Sequence, residues 1–299
     1  MKYLHPRFWP TWCFIGLIHL ASLFPFRWQM KLGSLLGKLA KRFGKKRVRI
    51  AETNMRLCFP EWSDEQRRDM LDLHFESLGR APFDFGIAAW WRDKQIERLA
   101  IIEGLDNLQE ALSRGRGAIL LAGHFTTLDI AGRIMHLHTQ MYPVYRKHNN
   151  PLMEEFIGGN RANICGKAIS HEDMRSMYKA LRENIPLYYI PDQNFGLRYS
   201  IFVPFFGIQT ATVTATSRLA AKYGTPVVPI VQQRLADNRG YRVKFEKALE
   251  NFPSDDIEKD TVRINQLLEK QIRDNPVDYL WVHRRFKTRP EGEKSLYDS

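Results

Sequence analysis

Six short apolar runs punctuate the C-terminal two-thirds of the chain, and helical patterns separate them; no other feature constrains the fold as much. The runs are GAILLA (117–122), YPVYR (142–146), KAIS (167–170), PLYYI (186–190), PVVPIV (226–231) and YRVKFEKAL (241–249). Each has the length and β-branched or aromatic character of a buried strand rather than of a helix turn. Between them, helical periodicity spans Leu128–Leu137, Leu152–Asn160, Asp173–Glu183 and Val213–Tyr223, the last closed by Gly224, and another helix lies near Ile257–Ile272. Strands alternating with helices imply an α/β fold: a mostly parallel, mixed sheet with helices on both faces.

Upstream, residues 50–110 read as helical. Ser63 and then Gln66 make a capping box that opens a helix with apolar positions Met70, Leu71, Phe75 and Leu78. Residues 111–299 then form the α/β domain. Residues 1–49 are different again. From Phe8 to Phe26 no side chain carries a full charge, and the run would reach roughly 28 Å as one helix against a hydrocarbon core of about 30 Å. Pro10 and Pro25 mark its ends, Trp9, Trp12 and Trp28 bracket it, and it carries no small-residue cleavage site. Arg27, Lys31, Lys38, Lys41, Arg42, Lys45, Lys46, Arg47 and Arg49 come next without one acid, among leucines at helical spacing. An apolar run joined to a basic amphipathic helix is expected to anchor the chain, as a tilted span or in the interface, on anionic lipid at the cytoplasmic side. The net charge of +12 fits that partner. Nucleic acid is the weaker alternative, because no nucleic-acid-binding motif accompanies the charge. Three scattered cysteines make neither a disulfide framework nor a zinc module, and no metal or cofactor is expected.

Ligands of parallel sheets sit beyond the carboxyl ends of the strands. The residues just past the end of each run are therefore the candidates: His124 after GAILLA; Arg146, Lys147, His148 and Asn149 after YPVY; Asp192 and Gln193 after PLYYIP; Gln232, Gln233 and Arg234 after PVVPIV. His124-Phe-Thr-Thr-Leu-Asp129 is the centre of the set. A strand-to-helix turn, with Thr126 or Thr127 as cap, would bring the Asp129 carboxylate to Nδ1–H of His124 and leave Nε2 free to take a proton. Such a pair suits general-base attack of an alcohol on a thioester, with turn amides stabilising the oxyanion. Arg146, Asn149, Asp192 and Gln193 are the substrate-binding candidates. The aromatic run Val203–Gly207 is expected to pack, with an acyl-tunnel lining as the alternative, and the basic group His283–Arg289 suits lipid phosphate, an acidic partner or solvent.

LAGHFTTLDI, YRKHNNPLME, YIPDQNFG with VPFFG, and WVHRRFKTRPEG together resemble the blocks of the lipid A late acyltransferases. HPRFWPTW, LGKLAKRF and NMRLCFPE resemble its lauroyl-transferring branch. The likeness runs from about His5 to Gly292. It implies a glycerolipid-acyltransferase-like fold, an acyl-acyl carrier protein donor, a Kdo-bearing lipid A precursor whose acyl-chain 3-hydroxyl is the acceptor, and the inner membrane of a Gram-negative bacterium. Two positions depart from that branch: Asp129 stands where Glu is usual, and Arg161–Cys165 replaces a basic Arg-x-Arg-Ser-Asn run. Three other readings compete: a glycerol-phosphate or lysophospholipid acyltransferase, a His-Asp hydrolase using water, and a non-catalytic membrane-surface protein. Against the first, Gly123 precedes the histidine and Pro-Asp-Gln stands where Phe-Pro-Glu-Gly-Thr is usual.

Overall fold

The computed structural model describes residues 3–297. After a 3₁₀ turn at Pro6–Phe8 come α1 (Trp9–Ser22), α2 (Phe26–Phe43), α3 (Lys45–Cys58), α4 (Asp64–Trp90) and α5 (Asp93–Glu97). The α/β part comprises β1 (Ala100–Glu103), α6 (Leu105–Ser113), β2 (Ile119–Leu121), α7 (Leu128–His136), β3 (Tyr142–Tyr145), α8 (Pro151–Met153), a π turn (Glu154–Gly158), α9 (Gly159–Cys165), β4 (Ile169–Ser170), α10 (Met174–Arg182) and β5 (Leu187–Tyr189). The chain ends with β6 (Ser200–Phe205), β7 (Ile208–Val213), α11 (Ala215–Tyr223), β8 (Val227–Arg234), β9 (Tyr241–Phe245) and α12 (Ile257–Asp274).

Seven strands make one sheet in the order β1-β9-β8-β2-β5-β3-β4. β8, β2, β5, β3 and β4 are mutually parallel; β9 runs antiparallel to β8 and carries β1 parallel to itself at the edge. The period-2 alternation of the strands sorts their side chains into two cores. Ile119, Leu121, Leu187, Tyr189 and Val227 join residues of α10, α11 and α12 on one face. Leu120, Tyr188, Val228 and Ile230 meet residues of α4, α6 and α7 on the other. Helices therefore cover both faces, as the apolar runs require. The sheet starts at Ala100, upstream of residue 111, because β1 closes its edge beside β9. β6 and β7 form a separate antiparallel hairpin at Val203–Gly207, and Phe205 of that run is buried in the core as expected.

The N-terminal apolar run forms a shorter helix than a tilted span requires. Pro25 ends the apolar run as the residue before α2, and α1 has 14 residues, about 21 Å of helix. Among the described residues no helix is long and apolar enough to cross a membrane. Ile15, Ile18 and Ala21 bury one side of α1, and His19 lies edge-on against Trp90. The other side leaves Trp9, Leu17 and Leu20 in solvent, Leu23 and Phe24 follow it, and α2 extends this surface with Trp28, Leu32, Leu35, Leu36, Leu39 and Phe43. The expected capping box of α4 is present in both directions between Ser63 and Gln66.

α2 crosses α4 at glycines. A Cβ on Gly37 would stand 2.0 Å from the Phe75 carbonyl oxygen, and one on Gly79 would stand 2.2 Å from the Gly33 carbonyl oxygen. These are backbone atoms that cannot swing aside, so any side chain must push the helices apart. Gly37→Val is expected to cost about 1–3 kcal/mol by overpacking, read as a lower thermal midpoint. An unchanged midpoint would contradict the close crossing.

Candidate active site

β2 and β5 are adjacent, with Ile119 opposite Leu187 and Leu121 opposite Tyr189. His124 and Asp192 lie equally far beyond that register, so the two strands deliver them side by side. The Asp192 carboxylate takes His124 with both oxygens: Oδ1 accepts from Nδ1–H, and Oδ2 accepts the His124 backbone N–H at 2.8 Å. Asp192 is only 2% exposed. Burial alone would raise its pKa, but the neighbouring imidazole, both N–H bonds and the Arg285 charge outweigh it and hold the carboxyl below its ordinary range.

The turn that carries His124 is tied on every side. Gln232 of β8 donates from Nε2 to the Gly123 carbonyl at 2.8 Å and accepts the Tyr188 hydroxyl at 2.6 Å. The segment after α12 runs past as a strap: Leu280 N–H donates to His124 O at 2.9 Å, and Thr126 N–H donates to Asp278 O at 2.7 Å. Behind the strap, buried Arg234 bridges Asp84 of α4 and the Asp278 carboxylate, with Ser77 and Tyr241 completing the cluster. Burial works against the Arg234 charge, but the two carboxylates hold its pKa above the usual value. Ser77 and Asp84 both come from α4 and Asp278 from the far end of the chain, and no local pattern marks the set.

Asp129 does not meet His124. It projects from the first turn of α7 to Arg161 of α9, which donates from Nε at 2.9 Å and from Nη2 at 2.6 Å to Oδ1. The expected pairing is corrected accordingly: the acid that holds the imidazole comes from the neighbouring strand end rather than from five residues along the chain. Asp192, expected among the substrate-binding candidates, instead binds His124. Thr127 occupies the position before α7 without a side-chain capping bond. The expected oxyanion role of the turn amides meets a second obstacle. The N–H groups of His124, Phe125, Thr126 and Leu128 already donate, to Asp192 Oδ2, Gly123 O, Asp278 O and Phe125 O respectively.

His124 opens onto a cavity of about 410 Å³. Its deeper walls are apolar, from Leu128, Met141, Val144, Ile164, Tyr188 and Ile190, with small residues Ala88, Ala89 and Gly132 between them. Its rim is polar and cationic, with Arg133, Arg146, Lys147, His148, Asn149, Arg161 and Gln193. Arg146, Asn149 and Gln193 thus line the cavity that His124 and Asp129 share, and Asp192 braces it from beneath. The volume lies within the range of small-molecule pockets. A long apolar chain ending in a polar or anionic head fits this division.

The sequence profile of the family described as Bacterial lipid A biosynthesis acyltransferase matches residues 1–288. The chain belongs to that family. It is 37% identical over 297 residues to the lipid A biosynthesis palmitoleoyltransferase of Escherichia coli K12, covering 99% of this chain and 97% of the relative. It is 38% identical over 295 residues to the lipid A biosynthesis lauroyltransferase of the same strain, covering 98% and 96%. The myristoyltransferase of that strain is more distant, at 27% over 303 residues, covering 99% and 92%. This acyltransferase therefore stands equally near to relatives named for two different acyl chains.

His283, from the basic group, is half-buried. Its Nε2 accepts the Asn194 backbone N–H at 3.0 Å, and burial pulls its pKa from 6.5 to about 4. Buried His74 is displaced likewise, to about 4. Unfolding returns both rings to an ordinary pKa, so between pH 6.5 and 4 the unfolded chain binds more protons. The stability they contribute is complete above pH 6.5 and is lost as the pH falls toward 4. The urea midpoint should fall across that window, and less steeply in His283→Gln. A wild-type midpoint flat across the same window would contradict the two neutral rings.

Proposed function

We propose that this acyltransferase moves a fatty acyl chain, lauroyl or one of similar length, from acyl-acyl carrier protein to the hydroxyl of an acyl chain on a Kdo-bearing lipid A precursor. The observation that carries the reading is the His124–Asp192 pair at the mouth of an amphipathic cavity. The acceptor hydroxyl gives its proton to His124 Nε2 as its oxygen attacks the thioester carbonyl carbon. The C–S bond then breaks, and the departing thiolate takes the proton back from the imidazolium. Asp192 stays ionised throughout, holding the tautomer with Nδ1 protonated and stabilising the imidazolium. Because the N–H groups of His124, Phe125, Thr126 and Leu128 already donate, the developing oxyanion is assigned to Arg161, and Arg146 joins the residues that bind the anionic part of the substrate. Asp129 serves the same centre by fixing Arg161 at the cavity. Asn149 and Gln193 bind the polar part of the substrate, and the apolar walls take its acyl chain.

Residues 1–49 place this chemistry at the membrane. The exposed apolar side of α1 and α2, flanked by the basic run, lies in the headgroup region of the cytoplasmic leaflet of a Gram-negative inner membrane. An acceptor anchored in that leaflet can reach the cavity without leaving the lipid.

Purified enzyme given lauroyl-acyl carrier protein and the precursor should yield an acceptor heavier by one acyl group in the mass spectrum. His124→Ala should abolish that product, and Asp192→Asn should lower kcat by about 10²–10⁴-fold. Asp129→Asn should cost less than Asp192→Asn, because it releases Arg161 and leaves the imidazole held. Full turnover by His124→Ala, with the protein folded, would refute the assignment.

A further inference from the structure

The cationic rim is built on a loop that one carboxylate grips at both ends. Glu154 opens the π turn between α8 and α9, and π turns gather at functional sites. Its Oε1 accepts the Tyr145 hydroxyl at 2.6 Å, at the end of β3. Its Oε2 accepts the His148 backbone N–H at 2.8 Å. Arg146 and Lys147, both exposed, are suspended between those two bonds. Gly158 leaves room for this arrangement, since a Cβ there would stand 3.1 Å from Glu154 Oε1 and 3.3 Å from the Tyr145 hydroxyl. Burial tends to raise the Glu154 pKa, but the Tyr145 and His148 bonds and the charges of His148 and Lys147 pull it below the ordinary range. The tie is matched on the other side, where burial and then Glu154 push the Tyr145 pKa up to about 12.

We infer that Glu154 is a positioning residue that holds the Arg146–Lys147 loop in place for an anionic headgroup, and so sets acceptor affinity rather than the chemical step. This role rests on the acyltransfer reading. Charge and loop conformation act together here. Arg146, Lys147 and Arg161 bring like charges to one rim, which a free loop would relieve by swinging outward. Glu154 supplies both the opposing charge and the two bonds that resist that swing. Its bonds go to Tyr145 and His148, and none goes to His124. A headgroup held at the rim is bound in the ground state and the transition state alike, so loosening the rim raises KM and spares kcat.

Three variants loosen the tie differently. Glu154→Gln keeps an acceptor for Tyr145 but turns an amide nitrogen toward the His148 N–H. Tyr145→Phe removes the other bond, and Gly158→Ala crowds the pair while leaving every charge in place. Each is assayed with saturating lauroyl-acyl carrier protein, varying a bis-phosphorylated acylated glucosamine disaccharide in detergent micelles, and thermal midpoints are measured alongside. The expected result is a KM for this acceptor raised about tenfold in Glu154→Gln, less in the other two, with kcat within about twofold of wild type. Removing one phosphate from the acceptor should shrink the difference. A fall in kcat at unchanged KM, or wild-type kinetics in all three folded variants, would overturn the inference. A wild-type enzyme that leaves this acceptor unmodified while acylating another lipid hydroxyl would instead remove the acyltransfer reading on which it rests.

Discussion

A carboxylate with almost no exposure has to be met by hydrogen-bond donors, because removing an ionised group from water costs several kcal/mol otherwise. In this chain that carboxylate is Asp192, and it is met by one residue twice, through the His124 imidazole and the His124 backbone N–H. Much of the surrounding structure serves to keep those two bonds. The backbone at residues 123–126 cannot drift, so Gln232 holds the Gly123 carbonyl and the strap at 278–280 pairs with His124 and Thr126. The strap cannot drift either. Arg234 ties its Asp278 to Asp84, joining the strap to β8 and to α4 through a fully buried ionic cluster. Breaking one partner of such a cluster strands a buried charge, which makes this scaffolding costly to disturb.

The same geometry separates two tasks within one cavity. Apolar walls from α7, α9, β3 and β5 suit a hydrocarbon chain, while charge is confined to the rim. Acyl transfer to a lipid A-type acceptor suits that separation, since such a lipid is apolar at one end and polar at the other. The apolar side of α1 and α2 repeats the division at a larger scale, with apolar side chains in solvent beside a run of basic residues. Membership of the lipid A acyltransferase family is consistent with both.

Six of the seven strands of the large sheet were legible because each carries its own apolar run, and their carboxyl ends gather His124, Arg146, Asn149, Asp192 and Gln193 around one cavity. β1 was not legible. It is four residues, AIIE, of which none is fully buried, and it becomes a strand only because β9 lies beside it. The β6–β7 hairpin was read only as packing, since Phe205 is buried there but Pro204 interrupts the run. Misreading Asp129 has a plainer cause. Local spacing can only offer partners from the same segment, whereas the partner of His124 is chosen by the register of β2 against β5. The N-terminal apolar run was long enough on paper to approach a span, yet α1 stops at Ser22 and the chain turns at Pro25 into a basic helix.

Nitrogen-15 and proton NMR of the His124 side chain at neutral pH tests the central pairing most directly. The His124–Asp192 pairing predicts an Nδ1-protonated imidazole with a strongly downfield proton, kept in Asp129→Asn and lost in Asp192→Asn. The reverse pattern, with the signal lost in Asp129→Asn and kept in Asp192→Asn, would contradict it.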